Sequence, residues 1–135
     1  MWTYATCGMS LPGDHHPVEL HLFSNIRSDT LVELLFTVAH FHRTGAKLDL
    51  WHTVNFGRPW LGTSACSFGL VSLPYLDGPD LENFECMGVS AKFFWLIPIT
   101  KEELDLKKRD GVEALETQFE AACFDYSDPM RASVA

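Results

Sequence analysis

The sequence predicts an α+β fold: a mixed or largely antiparallel sheet with about three helices packed against one side of it. Three observations lead there. Two strand-like stretches come first and run into a helix, a series of strand candidates fills the middle of the chain, and helical periodicity takes up the last third. Strands and helices are thus grouped rather than alternating as βα units, which disfavours an all-parallel sheet. With 135 residues, 47% hydrophobic and 13% aromatic, the chain is read as a single globular domain over 1–135.

The elements follow in order. "WTYATC" and "VELHLF" are rich in β-branched and aromatic residues and are separated by the turn-rich "GMSLPGDHHP". In the second strand the period of two sends Val18, Leu20 and Leu22 inward and Glu19 and His21 outward. From Thr30 the period lengthens, with Leu31, Leu34, Leu35, Val38 and Phe41 on one helical face. Thr30 and Glu33 have capping-box spacing, and Gly45 suits a left-handed C-terminal position. Strand candidates "WHTVNF", "CSFGLVSL", "NFECMG" and "AKFFWLIPI" follow, separated by "GRPWLGTS" and the Pro/Gly/Asp-rich "PYLDGPD". Thr100 and Glu103 form a second capping box, Gly111 breaks the helix they open, and Val112, Leu115, Phe119, Ala122 and Cys123 continue the periodicity to about Phe124. The tail "DYSDPMRASVA" has turn residues and then a short strand candidate.

Charge and cysteine usage narrow the function classes. Eighteen acids against ten bases give a net charge of −8, which repels a phosphate backbone or an anionic membrane surface and suits a basic partner. Asp77, Asp80, Glu82 and Glu85 lie in a span, 59–91, without Lys or Arg, and residues 101–135 carry nine acids against five bases. A solvated acidic loop and helix face is the plainer reading of both, a binding surface the sharper one. The four cysteines, Cys7, Cys66, Cys86 and Cys123, show no CxxC pairing, and no secretory signal opens the chain, so reduced thiols in a cytoplasm are expected. The longest apolar run, Phe93 to Ile99, is far short of the ~20 residues a membrane-spanning helix needs.

Catalytic and metal-binding patterns are weak. All six histidines fall between 15 and 52, but no HExxH pair is present, His15 and His16 share a turn, and His40 and His42 diverge on a helix. No metal and no cofactor are expected. "GTSAC" at 62–66 only approximates a nucleophile elbow, since Cys66 stands where its last glycine would be, and no phosphate-cradling glycine loop occurs. The densest polar-aromatic stretch is "LWHTVNFGRPW", residues 50–60. Val54 and Phe56 alternate with Thr53 and Asn55 as one strand, and Gly57 with Pro59 turns the chain out of it. Trp51 and Trp60 fit core or rim packing, or contact with a partner. His52, Asn55 and Arg58 are the polar set that could hold the loop or touch a partner.

Taken together, "TCGMS" at 6–10, "HTVNFGRPW" at 52–60, "SLPY" at 72–75, "LIPITKEELDLKKRDGVEAL" at 96–115 and "RASV" at 131–134 make the chain resemble the suppressor of fused domain family in its short bacterial, single-domain form. Two departures stand out. Family members usually carry an N-terminal helical segment and a further strand before the "GMS" stretch, whereas this sequence starts almost on that strand, so the first strand's neighbour is expected to be missing or supplied by a partner chain, leaving an open sheet edge or a dimer. The family also tends to place Gly before the His-Thr pair, where Trp51 stands here.

The resemblance implies a binding protein without catalytic activity or cofactor, similar to bacterial relatives that look like immunity proteins neutralising toxins. The expectation is therefore a non-catalytic, cytoplasmic protein-binding module whose partner is another protein, such as a basic toxin domain, with no nucleic acid or membrane partner. Its candidate contact residues are His52, Asn55, Arg58, Trp60, Asp77, Asp80, Glu82 and Glu85. The alternative is a small hydrolase or transferase using His52 with Asn55, Arg58 or Cys66, which requires His52 in an accessible cleft beside a nucleophile or carboxylate.

Overall fold

A computed structural model describes residues 1–11, 13–14, 17–45, 47–75, 83–86 and 89–135. Among the described residues six strands form one mixed sheet. β1 (Trp2–Ala5) pairs antiparallel with β2 (Val18–Ser24), and β2 runs parallel to the long β6 (Val89–Thr100). On its other side β6 pairs antiparallel with β4 (Cys66–Ser72), and β4 with β3 (Thr53–Asn55), for an order β1-β2-β6-β4-β3. β5 (Asn83–Cys86) pairs antiparallel with the start of β6. Lys92 faces both Val18 and Asn83, so β2 and β5 flank opposite sides of β6.

Among the described residues three helices accompany the sheet: α1 (Asp29–Thr44), α2 (Lys101–Asp110) and α3 (Val112–Ala122). The α+β class stands, but the helices do not share one side of the sheet. Leu20, Leu22, Val71, Phe94 and Leu96 pack into one core with Leu31, Leu34, Leu35 and Val38 of α1. Phe23, Leu70, Trp95, Ile97 and Ile99 pack into another with Leu104, Leu115 and Phe119 of α2 and α3. Successive residues of a strand point to opposite faces, so the sheet is the middle of three layers. The unbroken apolar run of β6 is the sequence counterpart, because a strand covered on both faces need not alternate.

This layering corrects the expectation for β2. Glu19 and His21, expected outward, are both buried, since the second face of β2 is covered as well. The ring of His21 meets Phe23 edge-on at 5.3 Å.

Helix ends follow local chemistry. Ser28 caps α1, its Oγ accepting the Thr30 N–H at 3.3 Å, two residues before the expected cap at Thr30. The Ser28 N–H in turn donates to the Tyr4 hydroxyl at 2.8 Å, tying α1 to β1. Gly45 closes α1 at φ −110° rather than in the left-handed region, its N–H donating to the Phe41 carbonyl at 2.7 Å. Gly111, at φ +95°, separates α2 from α3 in a conformation that costs glycine little. Residues 131–135 form no strand.

In the last turn of α1, buried His42 accepts the Leu48 N–H at Nδ1, 2.8 Å away. Burial, followed by the positive charges of Lys47 and Arg43, holds its pKa below the usual histidine value. The folded state therefore favours neutral imidazole, and this contribution is complete above pH about 6.5 and lost as the pH falls through the lower folded pKa. In a His42→Gln variant the slope of urea-unfolding stability against pH is expected to flatten in that window; an unchanged slope excludes His42 as its source.

Close packing where β4 crosses the sheet gives a second test. A Cβ on Gly69 would lie 2.7 Å from Phe56 Cζ and 2.8 Å from Leu96 Cδ1. Gly69→Ala is expected to lower stability by about 1–3 kcal/mol, measured by chemical denaturation, because the overpacked rings must shift.

Candidate functional site

β3 is the outer strand at one end of the sheet. Phe56 donates its N–H to the Ser67 carbonyl, and Val71 donates to the His52 carbonyl, so residues 52, 54 and 56 face β4. By the antiparallel period, the main-chain groups of Thr53 and Asn55 face away from the sheet, where no further strand lies among the described residues. His52, Asn55 and Arg58 are all exposed along this edge. His52 Nδ1 accepts the Asp49 N–H at 3.1 Å, and Asn55 Oδ1 accepts the Gly57 N–H at 2.8 Å, which shapes the turns entering and leaving the strand.

Trp51, immediately before His52, has φ +67°. That backbone suits glycine, the residue expected at this place, and a tryptophan adopts it at a cost of about 1–2 kcal/mol. Its N–H donates to the Val71 carbonyl at 2.8 Å, which ties the turn to β4.

Trp60 is corrected as a contact residue. It is 1% exposed within the α1-side core, and a partner at the surface cannot reach it. Phe56 lies partly buried on the same core. Glu85 is exposed on β5, while Asp77, Asp80 and Glu82 fall outside the described residues, as do His15 and His16.

The catalytic alternative meets a physical obstacle at Cys66. The residue is buried, and burial pushes its thiol pKa up, against formation of the thiolate a nucleophile needs. Cys7 and Cys123 are exposed and free. No group of three His, Cys, Asp or Glu side chains that could hold a metal occurs among the described residues.

Two buried carboxylates have structural roles that periodicity alone does not reveal. Glu103, 0% exposed, completes the α2 capping box, Oε1 accepting the Thr100 N–H at 2.8 Å while Thr100 Oγ1 accepts the Glu103 N–H at 3.2 Å. It also receives both Arg131 terminal nitrogens at 2.8 Å and the Val134 N–H at 3.0 Å. Arg131 donates further to the Pro98 carbonyl at 2.9 Å and lies over the rings of Phe119 and Phe124. "LIPITKEE" and "RASV" are thus halves of one buried clasp.

Glu19 plays the corresponding part for "TCGMS". Its carboxylate accepts from Thr6 Oγ1 at 2.6 Å, from the Met9 and Ser10 N–H groups at 3.1 and 2.9 Å, and from the Ser10 hydroxyl. Burial alone would raise its pKa, but the hydrogen bonds from Ser10, Thr6 and Met9 outweigh it and hold the group below the usual value.

The geometry defines a three-layer α+β domain with an open polar edge at β3. The suppressor of fused protein family matches residues 1–132, and the chain belongs to that family. A suppressor of fused homologue from Neisseria gonorrhoeae, solved by crystallography, is 35% identical with a TM-score of 0.84. The match covers 99% of this chain and 70% of the homologue. Sufu in the Sufu–Fu complex and Drosophila Suppressor of Fused share the fold at 16% identity, with TM-scores of 0.72 and 0.73. Both matches cover 98% of this chain, with 69% of the Sufu chain and 38% of the Drosophila protein covered in return. No curated protein matches the chain. Among the described residues no helix is long and apolar enough to cross a membrane.

Proposed function

We propose that the chain is a non-catalytic, cytoplasmic protein-binding module that acts as an immunity protein, neutralising a toxin by covering it. The observation that carries this reading is the β3 edge, where the unpaired main chain of Thr53 and Asn55 lies between exposed His52, Asn55 and Arg58. A partner segment added as a strand would satisfy the main-chain groups, and the three side chains would select its sequence. The net charge of −8 speeds encounter with a basic toxin domain. Asp77, Asp80, Glu82 and Glu85 are the acidic residues assigned to that encounter. The Sufu–Fu complex supplies a precedent for partner binding by a protein of this fold.

Co-expression with the toxin domain encoded beside its gene is expected to rescue growth, and the purified pair to bind in calorimetry. Combined His52→Ala, Asn55→Ala and Arg58→Ala substitutions are expected to weaken that binding by about tenfold or more, the scale of one lost hot spot. Failure to rescue, together with failure to bind, overturns the proposal.

A second reading, pairing of the chain with its own copy, is favoured by the opposite sheet edge. β1 has no outer neighbour among the described residues, and beside it a groove of about 390 Å³ runs along α1, where Phe36 is 75% exposed. Sedimentation equilibrium is expected to show a dimer that Phe36→Glu dissociates; a monomer at high concentration excludes it.

A further inference from the structure

On the α2–α3 side of the sheet, a second cavity of about 370 Å³ is walled by Trp95, Phe124 and Tyr126. The rings pack against one another along one side of it. Trp95 meets Tyr126 at 5.2 Å and 89°, and lies nearly parallel to Phe124 at 6.5 Å. Phe124 and Tyr126 meet at 6.0 Å and 67°. The same cavity is lined by half-buried Glu116 and exposed Glu120, one helical turn apart on α3, and by Tyr75, whose hydroxyl donates to Glu116 at 3.2 Å.

These carboxylates are placed at a disadvantage to the free protein. Like charges four residues apart on a helix repel. Among the described residues no Lys or Arg lies within ion-pair distance of either. Burial pushes the Glu116 pKa up against the hydrogen bond from Tyr75, and the nearby Glu120 and Glu113 add to the rise. A cation would relieve this, and ring faces attract cations through their negative quadrupole. Phe124 and Phe119, both part of the cavity lining, already bear a cation, since the Arg131 guanidinium lies 5.3 Å and 5.6 Å from their centroids.

We propose that this aromatic-walled, acid-lined cavity receives an arginine or lysine side chain presented by a partner protein. It deepens the protein-binding reading and rests on it for the source of the cation. The apolar stem packs among the rings and the charged head meets Glu116 and Glu120. The cavity also borders Ser72 at the end of β4 and Tyr75 after it.

The test is a ¹⁵N chemical-shift titration of the full chain with arginine amide, and separately with its neutral isostere, citrulline amide, and with choline. Saturable shifts at Ser72, Tyr75, the Trp95 indole and Glu120 are expected with arginine amide, and binding about tenfold weaker with citrulline amide. Combined Glu116→Gln and Glu120→Gln substitutions are expected to weaken arginine amide binding by a similar factor, with an unchanged or raised melting temperature that shows the fold intact. Equal binding of citrulline amide, absence of shifts, or unchanged affinity in the double variant overturns the proposal. Tighter binding of choline than of arginine amide overturns the protein side chain as its source. Toxin rescue is scored separately: lost rescue with arginine amide binding intact sinks the immunity reading alone, and kept rescue with no binding sinks the cavity alone.

Discussion

Arg131→Ala is expected to lower folding stability by about 3–5 kcal/mol, the usual result of removing one member of a buried ion pair. The loss comes less from the missing attraction than from what stays behind. Glu103 is 0% exposed and would retain a buried negative charge with only the Thr100 and Val134 N–H groups to stabilise it. The tail would also lose the guanidinium that bridges Pro98, Ala132 and the faces of Phe119 and Phe124. Replacing the pair together, Arg131→Met with Glu103→Leu, is expected to recover part of the loss, because no uncompensated charge remains. Recovery stays incomplete, since Thr100 and Val134 lose their acceptor. Urea-unfolding midpoints of the wild type, both single variants and the double variant give the coupling. Additive single losses would show that the clasp does not act as a unit.

The same clasp sets an acid limit. Burial tends to raise the Glu103 pKa, but hydrogen bonds and charge from Arg131, with the Val134 and Thr100 N–H groups, hold it below the usual carboxyl value. A depressed folded pKa means that the stabilisation is present above the unfolded value near 4.5 and lost as the pH falls through the folded one. Arg131→Met is expected to weaken this acid dependence.

Glu19→Ala is expected to lower stability by about 3 kcal/mol, because it strands donors that only an ionised carboxylate can serve together. Thr6, Met9 and Ser10 all converge on its two oxygens, and Met9 is buried in the α1-side core. Glu19→Gln is expected to be nearly as damaging: an amide has one acceptor oxygen and would direct its NH₂ at further donors. Hydrogen exchange at the Met9 and Ser10 amides is expected to accelerate in both variants, while the β4–β6 ladder stays protected unless the protein unfolds globally. Slow exchange at Met9 and Ser10 in Glu19→Ala would show that the loop holds itself without Glu19.

Several of these features were legible in the residues. Thr100 with Glu103, three positions later, encodes the α2 cap, and Gly111 encodes the break after it, because both depend on neighbours along the chain. The Leu31, Leu34, Leu35 and Val38 stripe likewise encodes the buried face of α1. Other assignments fail where distant residues decide. Glu19 and His21 alternate with apolar residues as an outward set would, yet layers on both faces enclose them. His52, Asn55 and Arg58 stood out as a polar set and are exposed, whereas Trp60 beside them turns into the core, which its neighbours in sequence do not dictate.

Periodicity, caps and turn residues sufficed for the α+β class and the strand and helix order, since each is set by interactions within a few positions. Tertiary structure decided the three-layer arrangement, the outermost place of β3 and the joining of Glu103 to Arg131 across 28 residues. It also decided the aromatic cavity, which gathers Trp95 from β6, Glu116 from α3 and Tyr75 from the segment after β4. Such contacts depend on how whole elements stack, and no local spacing carries that information.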